Sequence, residues 1–598
     1  MSFRRISFAL GNVFGSNRRW HNEVVGECPS GRKRTKCRRN VVGHLKSIFI
    51  LLLVFFAAGQ FAHAQAPSIF FTDLTSGPNS GGESVSGFAG AYVTLYGNGF
   101  GVTQGSSSVT LNGANCLRIV SWGGSWLWYQ TVVVQLGPSC ASGNFAVTTS
   151  AGSSKGVPFT VRSGNIRCVS TSGSDSNPGT FSGGCWKTVK FAMEGNGGNP
   201  EINSGDIIYA QNGTGATVDD GQGWSTSILL RAGGSSWSTP MALVAYPGAT
   251  VTIGSSSGAS YGLRNNGTSF WVFAGLTLTG NISGAESVDT WRMVGNDDQC
   301  PKGTTPDACM EGGANNFIYG NHIHNAGFSG STKQYHALYL TTDGNHNDIG
   351  WNSIHDVQGC RGILFHSTGG SQQFDLHVHD NLIFNVRCDG INFATVDPSK
   401  GTVEAYNNVI YHVGTGPDPS DGESNYACIY SPDSVDSGAF GSGVIQVYNN
   451  TMYDCGPGGS GSGAHGAINK DGGNPAVTIS ARNNVVQLLS NEGAYLQGTA
   501  SQISGSNNVW FGSSSGAPSQ TTGNITSNPM FVSTSTPDFH LLTGSPAIDA
   551  GVTISSLAWD HDGVSRPQGA SYDVGAYEFP SGAVARPAPP TNLSVVVK

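Results

Sequence analysis

The sequence predicts an all-β chain: a small β-sandwich followed by a parallel β-helix, a solenoid of stacked coils. Three observations carry that expectation. The 86 glycines among 598 residues lie between short Val/Ile/Leu runs without a G-X-Y period, which excludes collagen and points to many strands joined by tight turns. Hydrophobic residues make up 38 % and DEKR only 11 %, so the chain can bury a large core and is neither a charged disordered polymer nor a coiled coil. An irregular repeat of apolar strand, Asn and apolar strand then runs through the second half.

Residues 1–64 read as a signal peptide. A basic front ends at Lys46, Ile48 to Ala58 is an apolar run of 11 residues, and Ala62-His63-Ala64 gives a small-x-small cleavage site before Gln65. That run is shorter than the ~20 residues needed to span a bilayer, so no transmembrane segment is expected after cleavage. The front is long for such a region and leaves the start codon open. Residues 1–64 carry 11 Lys/Arg against Glu23 and Glu27, leaving 19 bases and 36 acids beyond them, a net of −17. A body of that charge repels nucleic acid, and any anionic ligand needs a local cationic site.

A secreted or cell-surface protein suits disulfides, and ten cysteines remain after the signal segment. None has zinc-site spacing. Cys360 and Cys388 stand two residues before Gly362 and Gly390 on adjacent coils, so their Cα atoms are expected near 5 Å apart. Sequence proximity suggests Cys116–Cys140, Cys168–Cys185, Cys300–Cys309 and Cys428–Cys455 for the others.

Residues 67–162 alternate short strands with Gly/Ser turns, as in Tyr92-Val-Thr-Leu-Tyr, Thr131-Val-Val-Val-Gln-Leu136 and Phe159-Thr-Val161, the pattern of a sandwich. The turn Gly97-Asn-Gly-Phe-Gly101 after Val-Thr-Leu, with the closing Phe-Thr-Val, resembles the immunoglobulin-like IPT/TIG family. The resemblance implies a spacer or accessory module without catalysis.

The solenoid is expected over 165–579. Its opening turn from Val169, the short amphipathic helix Trp186 to Met193 and the strand led by Gly205-Asp206 resemble the N-terminal cap of secreted right-handed parallel β-helix proteins, many of them polysaccharide lyases. A cap is needed because a sheet stack otherwise exposes an apolar end and an unpaired edge. The repeat then places Asn321, Asn352, Asn381, Asn408, Asn450 and Asn484 at spacings of 31, 29, 27, 42 and 34 residues. Asparagine tolerates left-handed geometry and bonds neighbouring turns, so these residues should form a structural ladder. The long step from Asn408 to Asn450 predicts an inserted loop over 415–425 that can wall a groove. Asp538 to Gly551 and Asp573 to Phe579 resemble the closing segment of secreted bacterial β-helix proteins, and 580–598 reads as a Pro-rich tail.

Chemistry is expected on the strand between the ladder phrases. Aligning Ala337, Gly362, Gly390 and Gly466 puts His336, Arg361, Asp389 and His465 in one line along coils spaced about 4.8 Å apart, an accessible catalytic strip. Tyr339, Asn392 and Lys470 follow as candidate substrate contacts. Cys388-Asp389-Gly390-Ile391 and Ala464-His465-Gly466-Ala467 resemble two polygalacturonase motifs, but the coil between reads Tyr426-Ala427-Cys428-Ile429 where that family carries further aspartates. Only loop acids such as Asp421, Glu423 or Asp433 could complete an inverting carboxyl pair. Proton abstraction beside a uronate carboxylate asks less: a charge neutraliser, Arg361 or Ca²⁺, and a base from His336, His465, Lys470 or Tyr339.

Plainer readings stand beside these. Arg361 and Asp389 also fit a structural ion pair. His322, His324, His355, His377 and His379 follow coil geometry as turn or surface residues, with His377 and His379 a candidate metal pair lacking a third ligand. The loop acids Asp418, Asp421 and Glu423 suit Ca²⁺ chemically but match no defined calcium loop, and no other cofactor is implied. The leading functional expectation is a carbohydrate-active protein, a polysaccharide lyase on a uronic-acid polymer. A non-catalytic surface adhesin or structural solenoid is the alternative, and a glycoside hydrolase or epimerase comes third. The fold hosts all of them, and the sequence leaves the oligomeric state open.

Overall fold

The computed structural model describes residues 65–580 apart from 197, 219–224, 304–305, 342, 370, 433–439, 460–464, 472–475, 490–491 and 514–515. The expected signal peptide, all of the tail beyond Pro580, and Asp433 lie outside the described residues.

Two small sheets open the described chain. Strands Ser68–Thr72, Tyr92–Asn98, Tyr129–Leu136 and Leu117–Trp126 pair antiparallel in that order, and Ser76–Gly77, Val157–Val161, Gly143–Thr149 and Ser108–Leu111 form the second sheet, with Gly152–Ser153 also paired to Gly143–Thr149. Val93, Leu95, Val132 and Val134 from one meet Leu111, Phe145, Val147 and Phe159 from the other in a shared core.

The rest is a right-handed parallel β-helix. Each coil between the two ends gives one strand to each of three parallel sheets, which have 12, 10 and 10 strands. The first runs from Ile166–Val169 to Ile503–Ser506, the second from Thr226–Leu229 to Ala494–Gln497 and the third from Thr252–Ile253 to Val509–Phe511. Register stacks like residues inward: Ile318, Ile349, Val378, Ala405 and Val447 in the first sheet, Leu338, Ile363, Ile391, Ile429 and Ile468 in the second, and Ile323, Ile354, Ile383, Ile410 and Met452 in the third. All lie in one continuous core, which is why an irregular coil length does not disturb the fold. The cap helix Val189–Glu194 is shorter than expected because Thr188 caps it, its hydroxyl accepting from the Phe191 N–H.

The asparagine ladder forms where the chain turns from the first sheet to the third, and it extends beyond the six expected members to Asn296 and Asn508. In each step, the backbone N–H and side-chain amide of one Asn donate to the next Asn's Oδ1; from Asn352 to Asn381 these distances are 3.0 and 2.9 Å. The left-handed conformation belongs to the preceding residue, not to the ladder Asn: Gly320, Trp351, Asp380, Asn407, Asn449 and Asn483 have φ between 52° and 63°. The turn reverses at that residue, which leaves the Asn side chain free to point inward and bond.

The outer face of the first sheet is covered by the sandwich. Ile207, Tyr209, Ala242, Val244 and Val272 share the sandwich core. Tyr209 Oη donates to the Tyr92 carbonyl at 2.8 Å, Trp126 Nε1 to the Gly320 carbonyl at 2.6 Å, and the Arg292 guanidinium to the carbonyls of Thr72 and Asp73. The sandwich and the β-helix therefore bury their facing surfaces against each other in one compact unit. The closing segment forms the hairpin Phe531–Ser533 and Asp538–Leu541 and, with Val574 and Ala576, covers Val409, Val485 and Val509 of the third sheet.

Four expected disulfides are present: Cys116–Cys140, Cys168–Cys185, Cys428–Cys455 and the rung-to-rung Cys360–Cys388, whose Cα atoms are 4.7 Å apart. Cys300–Cys309 is a correction. Both are free and buried, and Cys300 Sγ instead faces the Asp298 carboxylate and the Cys309 carbonyl.

Candidate functional site

The second sheet presents a cleft of about 330 Å³ lined by His336, Tyr339, Arg361 and Asn392 together with Lys333 and His366. Its geometry follows from register. Leu338 pairs with Ile363 and Ile363 with Ile391, so His336, Arg361 and Asp389, each two residues earlier, fall in line as the sequence indicates. Ile391 pairs with Ile429 and Ile429 with Ile468, which carries the line on to Ala427 and Gly466. His465 is one residue off it. A one-residue slip sends a side chain elsewhere, and its ring lies against Gly459 and Gly493 at the corner between the third and second sheets. Lys470 is buried at the end of strand Gly466–Lys470, its Nζ donating to the Asp471 carbonyl at 3.0 Å. Neither residue lines the cleft.

Asp389 is fully buried below the cleft rather than accessible. Its Oδ2 accepts from Arg361 Nε at 3.0 Å and from Asn392 Nδ2 at 2.8 Å, and its Oδ1 from the Ala427 N–H at 3.0 Å. Burial pushes its pKa up, against the pull of Arg361 and the two other donors. Arg361 keeps 20 % of its side chain exposed, so this pair fixes a cation at the cleft floor. His336 accepts from the Arg361 backbone N–H at 3.4 Å and meets the Tyr339 ring edge-on. Burial, with the nearby charges of Arg361 and His366, holds its imidazole well below its ordinary pKa and therefore neutral at pH 7. The Tyr339 hydroxyl lies 3.5 Å from His366 Nδ1 and 3.4 Å from Thr368 Oγ1. Asn392 Oδ1 is buried without a hydrogen-bond partner, an acceptor matched to a hydroxyl donor.

The inserted loop reaches the cleft lip. Lys333 Nζ bonds Asp421 and Glu423, the latter at 3.2 Å, and the Asp421 carboxylate in particular raises the Lys333 pKa. Asp418 is buried and accepts from Arg387 at 3.3 Å. Asp421 and Glu423 thus share the Lys333 ammonium, while Asp418 meets the Arg387 guanidinium. His377 is held by Asp375 and Glu404, and His379 by Asp348 and Asp380, so that histidine pair is bound to carboxylates.

Lys333, His366 and Thr368 were not legible as site residues, because each lies in a loop flanking the strands that the repeat identifies. A carboxyl group also escaped the alignment. Glu286, Asp307 and Glu311 stand on the preceding coils of the second sheet, with Glu311 in register with Tyr339. Burial and mutual repulsion push Glu286 up to about 9, and burial first of all pushes Glu311 up to about 7 and Asp307 up to about 6. The phrase Trp291 to Asn296, a strand ending in Gly-Asn like Phe317 to Asn321, was the signal that could have registered those coils.

No family model and no curated protein matches this chain. Among solved structures it is similar to pectate lyase Pel9A, at 18 % identity over 69 % of this chain and 96 % of that one with a TM-score of 0.39. It is also similar to a rhamnogalacturonan lyase, at 13 % identity over 57 % and 87 % with a TM-score of 0.31.

Proposed function

We propose that this is an exported carbohydrate-active protein that cleaves a uronic-acid polymer by β-elimination in the second-sheet cleft. The observation that carries the reading is Arg361, a partly exposed guanidinium locked by a buried aspartate at the floor of a cleft lined by imidazoles, a phenol and an ammonium. In a body of net charge −17 beyond the signal segment, such a cation concentrates affinity for an anionic sugar. The guanidinium meets the uronate carboxylate and stabilises the charge that develops as C5 loses its proton. The neighbouring His366 imidazole accepts that proton, the C4–O bond breaks as the C4=C5 bond forms, and the Tyr339 hydroxyl protonates the departing oxygen. Four disulfides, and the absence of any helix long and apolar enough to cross a membrane among the described residues, fit an extracellular setting.

A hydrolase is the second reading, favoured by Glu286, which is pushed up to about 9 and so is protonated at neutral pH, the state of a general acid. Incubation with a panel of polyuronates separates the readings. Ultraviolet-absorbing unsaturated ends mark elimination, and new reducing ends without that absorbance mark hydrolysis. Saturable binding without either product marks the adhesin alternative.

A further inference from the structure

The third sheet carries a separate constellation. Asp297, His322 and His324 come from strands Asp297–Gln299 and His322–Ala326 on adjacent coils, and His355 from Ser353–Val357 on the next. Asp297 pairs with His322 and His324 with His355 in register, so all four side chains share the outward face. Asp297 Oδ1 lies 2.9 Å from His322 Nδ1 and 3.0 Å from His324 Nε2. The two imidazoles stack with centroids 4.0 Å apart.

The hydrogen bonds behind His322 fix its tautomer. His355 Nδ1 faces the Asp356 carboxylate at 2.8 Å and so carries its proton there, leaving Nε2 as an acceptor. That Nε2 is 2.8 Å from His322 Nε2, which must therefore donate. In a neutral His322 this aims the Nδ1 lone pair at a carboxylate oxygen, lone pair against lone pair. A cation between them removes the conflict, and His324 Nε2, 3.0 Å from the same oxygen, joins it when the Asn325 amide, whose Nδ2 lies 2.8 Å from His324 Nδ1, turns its oxygen to accept the Nδ1 proton. An imidazole ligand whose far nitrogen is held by an outer chain ending on a carboxylate is the arrangement that sets tautomer and ring orientation at metal centres. Phe384 stacks on His355 at 4.5 Å and closes the far side.

We propose that Asp297 Oδ1, His322 Nδ1 and His324 Nε2 bind a first-row divalent cation of the zinc type, with His355 and Asp356 as the outer support. Two nitrogens and one oxygen suit Zn²⁺ and not Ca²⁺, which takes oxygen ligands. Metal bonds of about 2.0–2.2 Å set tetrahedral ligand atoms roughly 3.3–3.5 Å apart, a few tenths of an ångström wider than here. The ligands are 15–32 % exposed, which leaves a fourth position to solvent. Bound there, the ion ties two successive coils together.

The test is titration of the full secreted chain, free of any histidine tag, with Zn²⁺ against a chromophoric chelator. One equivalent should bind, undisplaced by millimolar Ca²⁺, and raise the melting temperature. Asp297→Asn and His324→Ala should weaken binding at least ~100-fold, and His355→Ala and Asp356→Asn about 10–100-fold. His412→Ala, on a distant exposed imidazole, and Arg361→Ala should bind as the parent does. The proposal is overturned if no stoichiometric Zn²⁺ binds, or if folded Asp297→Asn and His324→Ala, checked by circular dichroism, bind it unchanged.

Discussion

Replacing Asn381 with alanine isolates the ladder's contribution. Its Oδ1 accepts from the Asn352 N–H and Nδ2, and its Nδ2 donates to the Ile349 carbonyl and to Asn408 Oδ1, all between 2.9 and 3.0 Å. Alanine leaves the buried Asn352 N–H without an acceptor, at a cost of about 1–3 kcal/mol, and removes three further bonds worth about 0.5–1.5 kcal/mol each. Allowing for non-additivity, the loss is about 3–6 kcal/mol local to these coils. A solenoid opens coil by coil, so amide hydrogen exchange is the assay, read at Asn352. The Asn352 amide should exchange about 10²–10⁴ times faster, since each 1.4 kcal/mol is tenfold. Asn381→Asp keeps the acceptor but turns its donor into a buried carboxylate oxygen facing Asn408 Oδ1 and the Ile349 carbonyl, and should be no better than alanine. Exchange within threefold of the parent in the alanine variant would refute the ladder as a source of stability.

Three further outcomes follow from the same structure. Cys360→Ser with Cys388→Ser should cost about 2–4 kcal/mol in denaturant unfolding and loosen the flanking Arg361–Asp389 pair, seen as weaker polyuronate binding. Alkylation of the unfolded, unreduced mature chain should label Cys300 and Cys309 and no other cysteine in 65–580, as read by peptide mapping. Burial lowers the His379 pKa, but Asp348 and Asp380 outweigh it and push it up to about 10. With an unfolded value near 6.5, that stabilisation is complete below about pH 6.5 and is lost as pH rises toward about 10, on the order of several kcal/mol. His379→Gln should flatten the alkaline limb of the melting-temperature profile.

The fold was legible because burial is periodic: each coil must return an apolar strand and an asparagine to the same places, whatever its loops do. Cys360 and Cys388 were legible for the same reason. Register failed after the insertion at 415–425, where aligning Gly466 with Gly390 is one residue short of the residue truly in line, Ala467; this misplaced His465. That Arg361, His336, Tyr339 and Asn392 share one cleft was legible because they belong to aligned coils, whereas Lys333 and His366 line it from loops that no period constrains. Burial of Asp389 was not legible, since a charged residue in line with Arg361 reads equally as a surface acid or as its brace. The Asp297–His322–His324 group draws on separate coils, and single histidines at strand positions look like ordinary surface residues until register brings them together.

The most direct test is a polyuronate panel assayed for unsaturated ends with the parent protein and Arg361→Ala side by side. The parent should generate ultraviolet-absorbing product, and Arg361→Ala should lose about 10²–10³ in rate, as when one charge-stabilising donor is removed, while melting within a few degrees of the parent. No product from any polyuronate with folded protein, or full activity in Arg361→Ala, would contradict the account.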